Sequence, residues 1–142
     1  MAAGLAASPP EGAPAGVQRL RTRAQFQALL AHRPVARTAH FALHRLALPA
    51  ERAPEAALFG PAPASWLGAM VPKRWARRAV TRNAIRRQVY ALGGAQPWPR
   101  PAARLVRLHT AFAPAQFASA SSPALRRAVR AELRELMRRE PA

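Results

Sequence analysis

Seven basic side chains, Lys73, Arg74, Arg77, Arg78, Arg82, Arg86 and Arg87, fall within fifteen residues that contain no acid. A guanidinium is a planar fork that can grip a phosphate through two parallel hydrogen bonds, so this density suits a polyanion better than a small metabolite. Arg78, Arg82 and Arg86 are four apart and form one ridge if the segment is helical, with Asn83 and Arg87 on the adjacent row. Ile85 and Val89 would then hold the opposite side against a core. Like charges at helical spacing repel by about 0.2 to 0.5 kcal/mol per pair, and no nearby acid neutralises them. The pattern favours an external anion over a solvated basic face. A membrane-surface helix fits less well, because the apolar side lacks the bulky content that insertion needs.

The rest of the chain narrows what that anion is and what the protein does with it. Of 142 residues, 23 are Lys or Arg and 6 are Asp or Glu, for a formal net charge of +17. The acids are all glutamates, at 11, 51, 55, 132, 135 and 140, so Ala56 to Ala131 is a field of one sign. Such a field makes nucleic acid the leading partner. With no carboxylate cluster, a protein-held two-metal site for phosphodiester cleavage is not expected. No cysteine is present, and His32, His40, His44 and His109 have no zinc-like spacing. No catalytic side chain and no metal ligand is therefore assigned to the protein itself. No stretch approaches the roughly 20 apolar residues of a membrane span. Residues 1–16 read as a disordered extension rather than a targeting segment, and a soluble cytoplasmic protein is expected.

The elements that must position the basic row can be read from caps and periodicity. Thr22 and Gln25 have capping-box spacing and open a short helix over 22–31, with Phe26, Leu29 and Leu30 on one face. Thr38 to Leu48 reads as a strand, and 49–64, with four prolines, as a loop with room for an extra strand. Ser65 to Val71 is a short apolar strand closed by Pro72. The basic helix runs from about Arg78 or Thr81 to Leu92, with Gly93 and Gly94 as its stop. Ala103 to Thr110 has strand periodicity with a basic edge on one face. Ser122 and Pro123 then start a closing helix whose inner side is Leu125, Val129, Leu133, Leu136 and Met137. Helix, strand, strand, basic helix, strand, helix predicts an α+β fold, an α/β sandwich with helices covering a small sheet over one domain, 17–142.

The stretch Leu67 to Val89, LGAMVPKRWARRAVTRNAIRRQV, resembles the signature of the bacterial ribonuclease P protein component. Gly68, Lys73, Arg74, Ala79, Arg82, Asn83, Ile85, Arg86 and Arg87 fall where that pattern places them, and weaker resemblance runs from about Arg19 to Arg139. The resemblance implies a left-handed βαβ crossover and a subunit that assists a catalytic RNA in removing the 5′ leader from precursor tRNA. It implies that Lys73, Arg74, Arg77, Arg78, Arg82, Asn83, Arg86 and Arg87 meet RNA. It further implies a leader cleft between the sheet and the first helix, for which Phe26, Phe41, His44 and Arg107 are the candidates. Mg²⁺ would be held mainly by the RNA partner, and no obligate protein partner is evident. Ala84, Tyr90 and Leu30 depart from the family pattern, the first two by lacking a basic group and the third by lacking an aromatic one. The competing class is a basic structural protein of the ribosome or nucleoid, which needs charge but not this spacing.

Overall fold

A computed structural model of the chain describes residues 16–48, 58–59, 65–113 and 122–141. Residues 1–15 of the expected 1–16 extension and most of the 49–64 loop, with its possible extra strand, lie outside the described residues. The elements are β1 (Val17–Arg19), α1 (Arg23–Leu30), β2 (Ala36–Arg37), β3 (Phe41–Ala47), β4 (Ser65–Met70), α2 (Ala79–Ala95), β5 (Ala102–Leu108) and α3 (Pro123–Arg138). They build one mixed sheet in the order β1-β4-β5-β3-β2. β1 and β5 both run parallel to β4, whereas β3 is antiparallel to both β5 and β2. α2 is the crossover between the parallel neighbours β4 and β5. The α+β sandwich expected from the sequence is the observed architecture.

Local chemistry starts the helices. The Thr22 hydroxyl accepts from the Gln25 backbone N–H at 3.1 Å, and the Gln25 side-chain oxygen accepts in return from the N–H of Thr22 at 3.1 Å. The other end of the Gln25 amide donates to the Leu58 carbonyl at 2.8 Å, which ties α1 to a distant segment. Ser122 caps α3 by accepting from Leu125 N–H at 3.1 Å, with Pro123 in the first helical position.

Both faces of the sheet are buried. Phe41, Leu43, Leu67, Val106 and Leu108 pack beneath Ile85 and Val89 of α2 and Leu125, Val129, Leu133 and Leu136 of α3. On the other face, Leu20, Leu29, Leu46, Phe59, Ala103 and Leu105 form a smaller core under α1. β5 is thus a central strand, buried on both sides apart from Arg107, rather than one with an open basic face. Two short strands, β1 and β2, carry no periodicity of their own and exist because β4 and β3 offer them free edges.

Gly93 does not stop α2. The helix continues to Ala95, and a side chain at Gly93 would collide with Leu67 of β4. Its glycine lets the helix approach the strand, and the chain leaves helical geometry only at Gln96, before Pro97. The indole N–H of Trp98 then donates to the Gly93 carbonyl at 2.9 Å, satisfying one of the orphaned groups of the helix end.

Among the described residues, an oppositely charged pair is buried on the α2/α3 side. Arg104 of β5 is 1% exposed and forms a two-pronged ion pair with Glu140, just beyond α3, whose Oε2 accepts from Nη2 at 3.0 Å. Arg100 O accepts from the same nitrogen at 3.1 Å, and the Trp98 ring lies 4.1 Å from the guanidinium carbon. Removing one partner of a buried pair leaves the other uncompensated, so Glu140→Ala is expected to destabilise the fold by about 3 to 5 kcal/mol in urea unfolding. Adding Arg104→Met should recover most of that loss. Equal stability of Glu140→Ala and the parent would refute the assignment.

Candidate nucleic-acid interface

The basic segment begins where β4 ends. After Pro72 the chain makes one turn, with Trp75 N–H and Ala76 N–H both donating to the Pro72 carbonyl at 3.0 and 3.1 Å. Buried Ala76 pins this turn to the core, and half-buried Trp75 packs beside it. Trp75 is thereby a support, and the Arg74 guanidinium lies over its ring at 4.9 Å. Lys73, Arg74, Arg77 and Arg78 are all exposed. Arg78 is the N-cap of α2 with extended backbone and makes no side-chain cap bond. The unsatisfied N–H groups of the first turn add partial positive charge to the same surface.

Within α2 the ridge is not uniform. Arg82 spends one terminal nitrogen on the carbonyls of Ala76 and Arg77, at 3.0 and 2.7 Å, so it fastens the basic turn to the helix. Arg86 donates to the Asn83 side-chain oxygen at 2.7 Å, which orients its guanidinium. Arg87 is exposed on the neighbouring row. Ala84, Ile85 and Val89 are buried, as the helical spacing requires. All eight residues expected to meet RNA therefore lie in one continuous segment, with Arg82 and Asn83 holding others in place.

The four cleft candidates do not stay together. Phe26 of α1 sits over β4, where a side chain at Gly68 would be 3.1 Å from its ring. His44 and Arg107 share that face of the sheet. Phe41 does not: it is fully buried on the α2/α3 side, in contact with Phe112 at a ring separation of 5.9 Å. Strand alternation puts residues 41 and 44 on opposite faces. Phe41 is a core residue and is removed from the cleft.

His44 is held as a neutral ring. Its Nδ1 donates to the His32 carbonyl at 2.8 Å, leaving Nε2 to accept from Arg107 Nε at 3.2 Å. Burial lowers its pKa, and the charges of Arg107 and Arg37 lower it further against the opposing pull of the His32 carbonyl. Burial also lowers the Arg107 pKa, followed by the fields of Arg37 and Arg74. Arg37, paired opposite Ala42, and Arg74 of the basic turn thus lie near enough to Arg107 for their charges to act on it. Arg37 carried no sequence signal, since β2 has only two residues.

Arg19 and Tyr90 were also not legible as site residues. β1 places Arg19 opposite Leu67 of β4, beside α2, with its guanidinium 4.1 Å above the Tyr90 ring. Among the described residues no group of three or more His, Cys, Asp or Glu could hold a metal ion. No helix there is long and apolar enough to cross a membrane.

The family model for ribonuclease P matches residues 15–139. The chain belongs to the ribonuclease P protein family. It is similar to the ribonuclease P protein component of Paraburkholderia xenovorans (strain LB400), at 33% identity over 124 residues, covering 84% of this chain and 77% of the relative. The fold is similar to that of the Staphylococcus aureus RNase P protein, with a TM-score of 0.57 at 16% identity, covering 84% of this chain and 92% of that one. A mutant of that protein with defective mRNA degradation activity gives a TM-score of 0.56 at 15% identity, covering 84% and 85% of the two chains. In this ribonuclease P family member, the surface that carries the signature is the acid-free segment Lys73 to Arg87.

The neutral His44 has a consequence for stability. Its folded pKa lies below the usual value of 6.5, so the unfolded chain binds more protons there as pH falls. Its contribution is fully present above about pH 6.5 and is lost as pH drops through the folded value. Urea unfolding should show this fall, and His44→Asn should remove part of it. A His44 ring that titrates by NMR at or above 6.5 would contradict the arrangement.

Proposed function

We propose that the protein is the accessory subunit of a cytoplasmic ribonuclease P whose RNA subunit performs the cleavage of precursor tRNA. The observation that carries this reading is the Lys73 to Arg87 surface: a basic turn locked to a helix by Arg82, with no acid among its residues, in a chain of this family. Two polyanions, catalytic RNA and substrate, repel each other. A cationic surface set against one of them reduces that repulsion and adds phosphate contacts.

The 5′ leader would lie along the α1 face of the sheet, against Phe26 and Arg107, with His44 fixing the direction of the Arg107 guanidinium. Stacking on one aromatic ring contributes about 1 to 3 kcal/mol, which suits a single strand bound without much sequence preference. Mg²⁺ belongs to the RNA in this reading.

Reconstitution with the cognate RNA subunit tests the proposal. The protein should stimulate leader removal at low Mg²⁺, and the Arg82, Arg86 and Arg87 triple alanine variant should lose most of that stimulation. The triple variant of Arg127, Arg130 and Arg134, on the outer side of α3, is the charge-matched control and should keep it. Equal loss from both triples would favour a generic basic RNA-binding protein instead.

Binding to the RNA subunit should also depend on salt. If about six phosphates are neutralised, the logarithmic slope is on the order of −4 to −5. A flat response between low and moderate ionic strength would count against the interface.

A further inference from the structure

Tyr90 is a neutral residue at the end of the arginine row, and the structure surrounds it with cations. Its hydroxyl accepts from the Ala69 backbone N–H at 3.3 Å, which fixes the ring between α2 and β4. The Arg19 guanidinium lies over that ring at 4.1 Å. Arg19, Asn83, Arg86, Arg87, Tyr90 and Ala91 together line an open depression of about 660 Å³. Among the described residues, three guanidinium groups and an amide border this space, and no carboxylate does.

We propose that this depression is a phosphate subsite for an RNA backbone, in which β1 supplies through Arg19 the cation that α2 lacks at Tyr90. The inference rests on the preceding reading that α2 faces RNA, and extends it to a residue from a different element. A guanidinium stacked on an aromatic face keeps its N–H edge in its own plane and free for a bidentate acceptor. Arg86 is steadied by Asn83 and presents its remaining donors towards the same opening. Arg19 covers the Tyr90 face, so a nucleobase has no ring there to stack on. Recognition is of phosphate, independent of sequence. The depression is open and continues the basic row of α2, which suits one unit of a phosphodiester chain rather than an enclosed free anion.

The platform makes a coupling that simple charge does not. Arg19→Ala should weaken binding to the RNA subunit about tenfold and reduce the salt slope by about one. Tyr90→Ala should cost a similar factor, because the guanidinium loses its support, and the double variant should lose little more than either alone. Tyr90→Phe, which keeps the ring but gives up the hydrogen bond from Ala69, should lose less affinity than Tyr90→Ala. Tyr90→Arg in the Arg19→Ala background should restore affinity by returning the cation to α2. Circular dichroism checks that each variant is folded, and Arg127→Ala is the charge control.

Parent-like binding by Arg19→Ala, with weak binding by the Arg82, Arg86 and Arg87 triple variant, would overturn the subsite and leave the interface standing. Parent-like binding by both would overturn the interface as well. Additive losses at Arg19 and Tyr90 would refute the platform. An NMR titration of the free protein with inorganic phosphate separates the two anion sources. Arg19-dependent saturation by inorganic phosphate without an Arg19 effect on RNA binding would refute the backbone assignment.

Discussion

Guanidinium groups brought together without counter-charge repel one another, and something else in the molecule must hold them there. Here the restraint is mechanical. Arg82 gives its own hydrogen bonds to the carbonyls of Ala76 and Arg77, Ala76 is buried, and Ile85 and Val89 seat the helix on the sheet. Gly93 lets the far end of α2 come down onto Leu67. The same residue type thus appears in two roles: one arginine is consumed as a fastener so that its neighbours can remain free. A flexible basic tail could carry equal charge but would lose more entropy on binding RNA.

The two faces of the sheet divide the work. The α2/α3 side is a deep core that stabilises the basic helix, and it absorbs Phe41. The α1 side is shallower, with Gly68 allowing Leu20 and Phe26 to lie close to β4, and it leaves Arg107 partly exposed beside a neutral histidine. Glu132 performs a related task in the middle of α3. Burial opposes its ionisation, but hydrogen bonds from the Thr38 hydroxyl and from His40 hold its carboxyl below the usual range and fasten α3 to the β2–β3 turn. A chain with only six acids places at least two of them, Glu132 and Glu140, at such joints.

Much of this was written in short-range chemistry and was legible in the sequence. The capping box at Thr22 and Gln25, the Ser122–Pro123 start and the apolar row Leu125 to Leu136 act through residues three or four apart. The basic segment was legible for the same reason. What could not be read depends on partners far along the chain. β1 and β2 are strands only because β4 and β3 lie beside them. Gly93 looks like a terminator until Leu67 is placed under it. Nothing near Arg104 in sequence shows that Glu140 and Trp98 enclose it. Phe41 entered the cleft set only through the family resemblance, and its odd separation from His44 within one strand places the two on opposite faces.

The Arg104 to Glu140 pair also carries a consequence for the order of events in synthesis. β5 is the centre of the sheet, yet its buried cation is answered by a residue 36 positions later, beyond α3. As the polypeptide leaves the ribosome, the middle strand has no counter-ion until the last helix has emerged. A nascent chain halted before that point would keep Arg104 in water and leave α2 without a finished floor. Such fragments would carry the basic segment without the finished sheet and α3 beside α2.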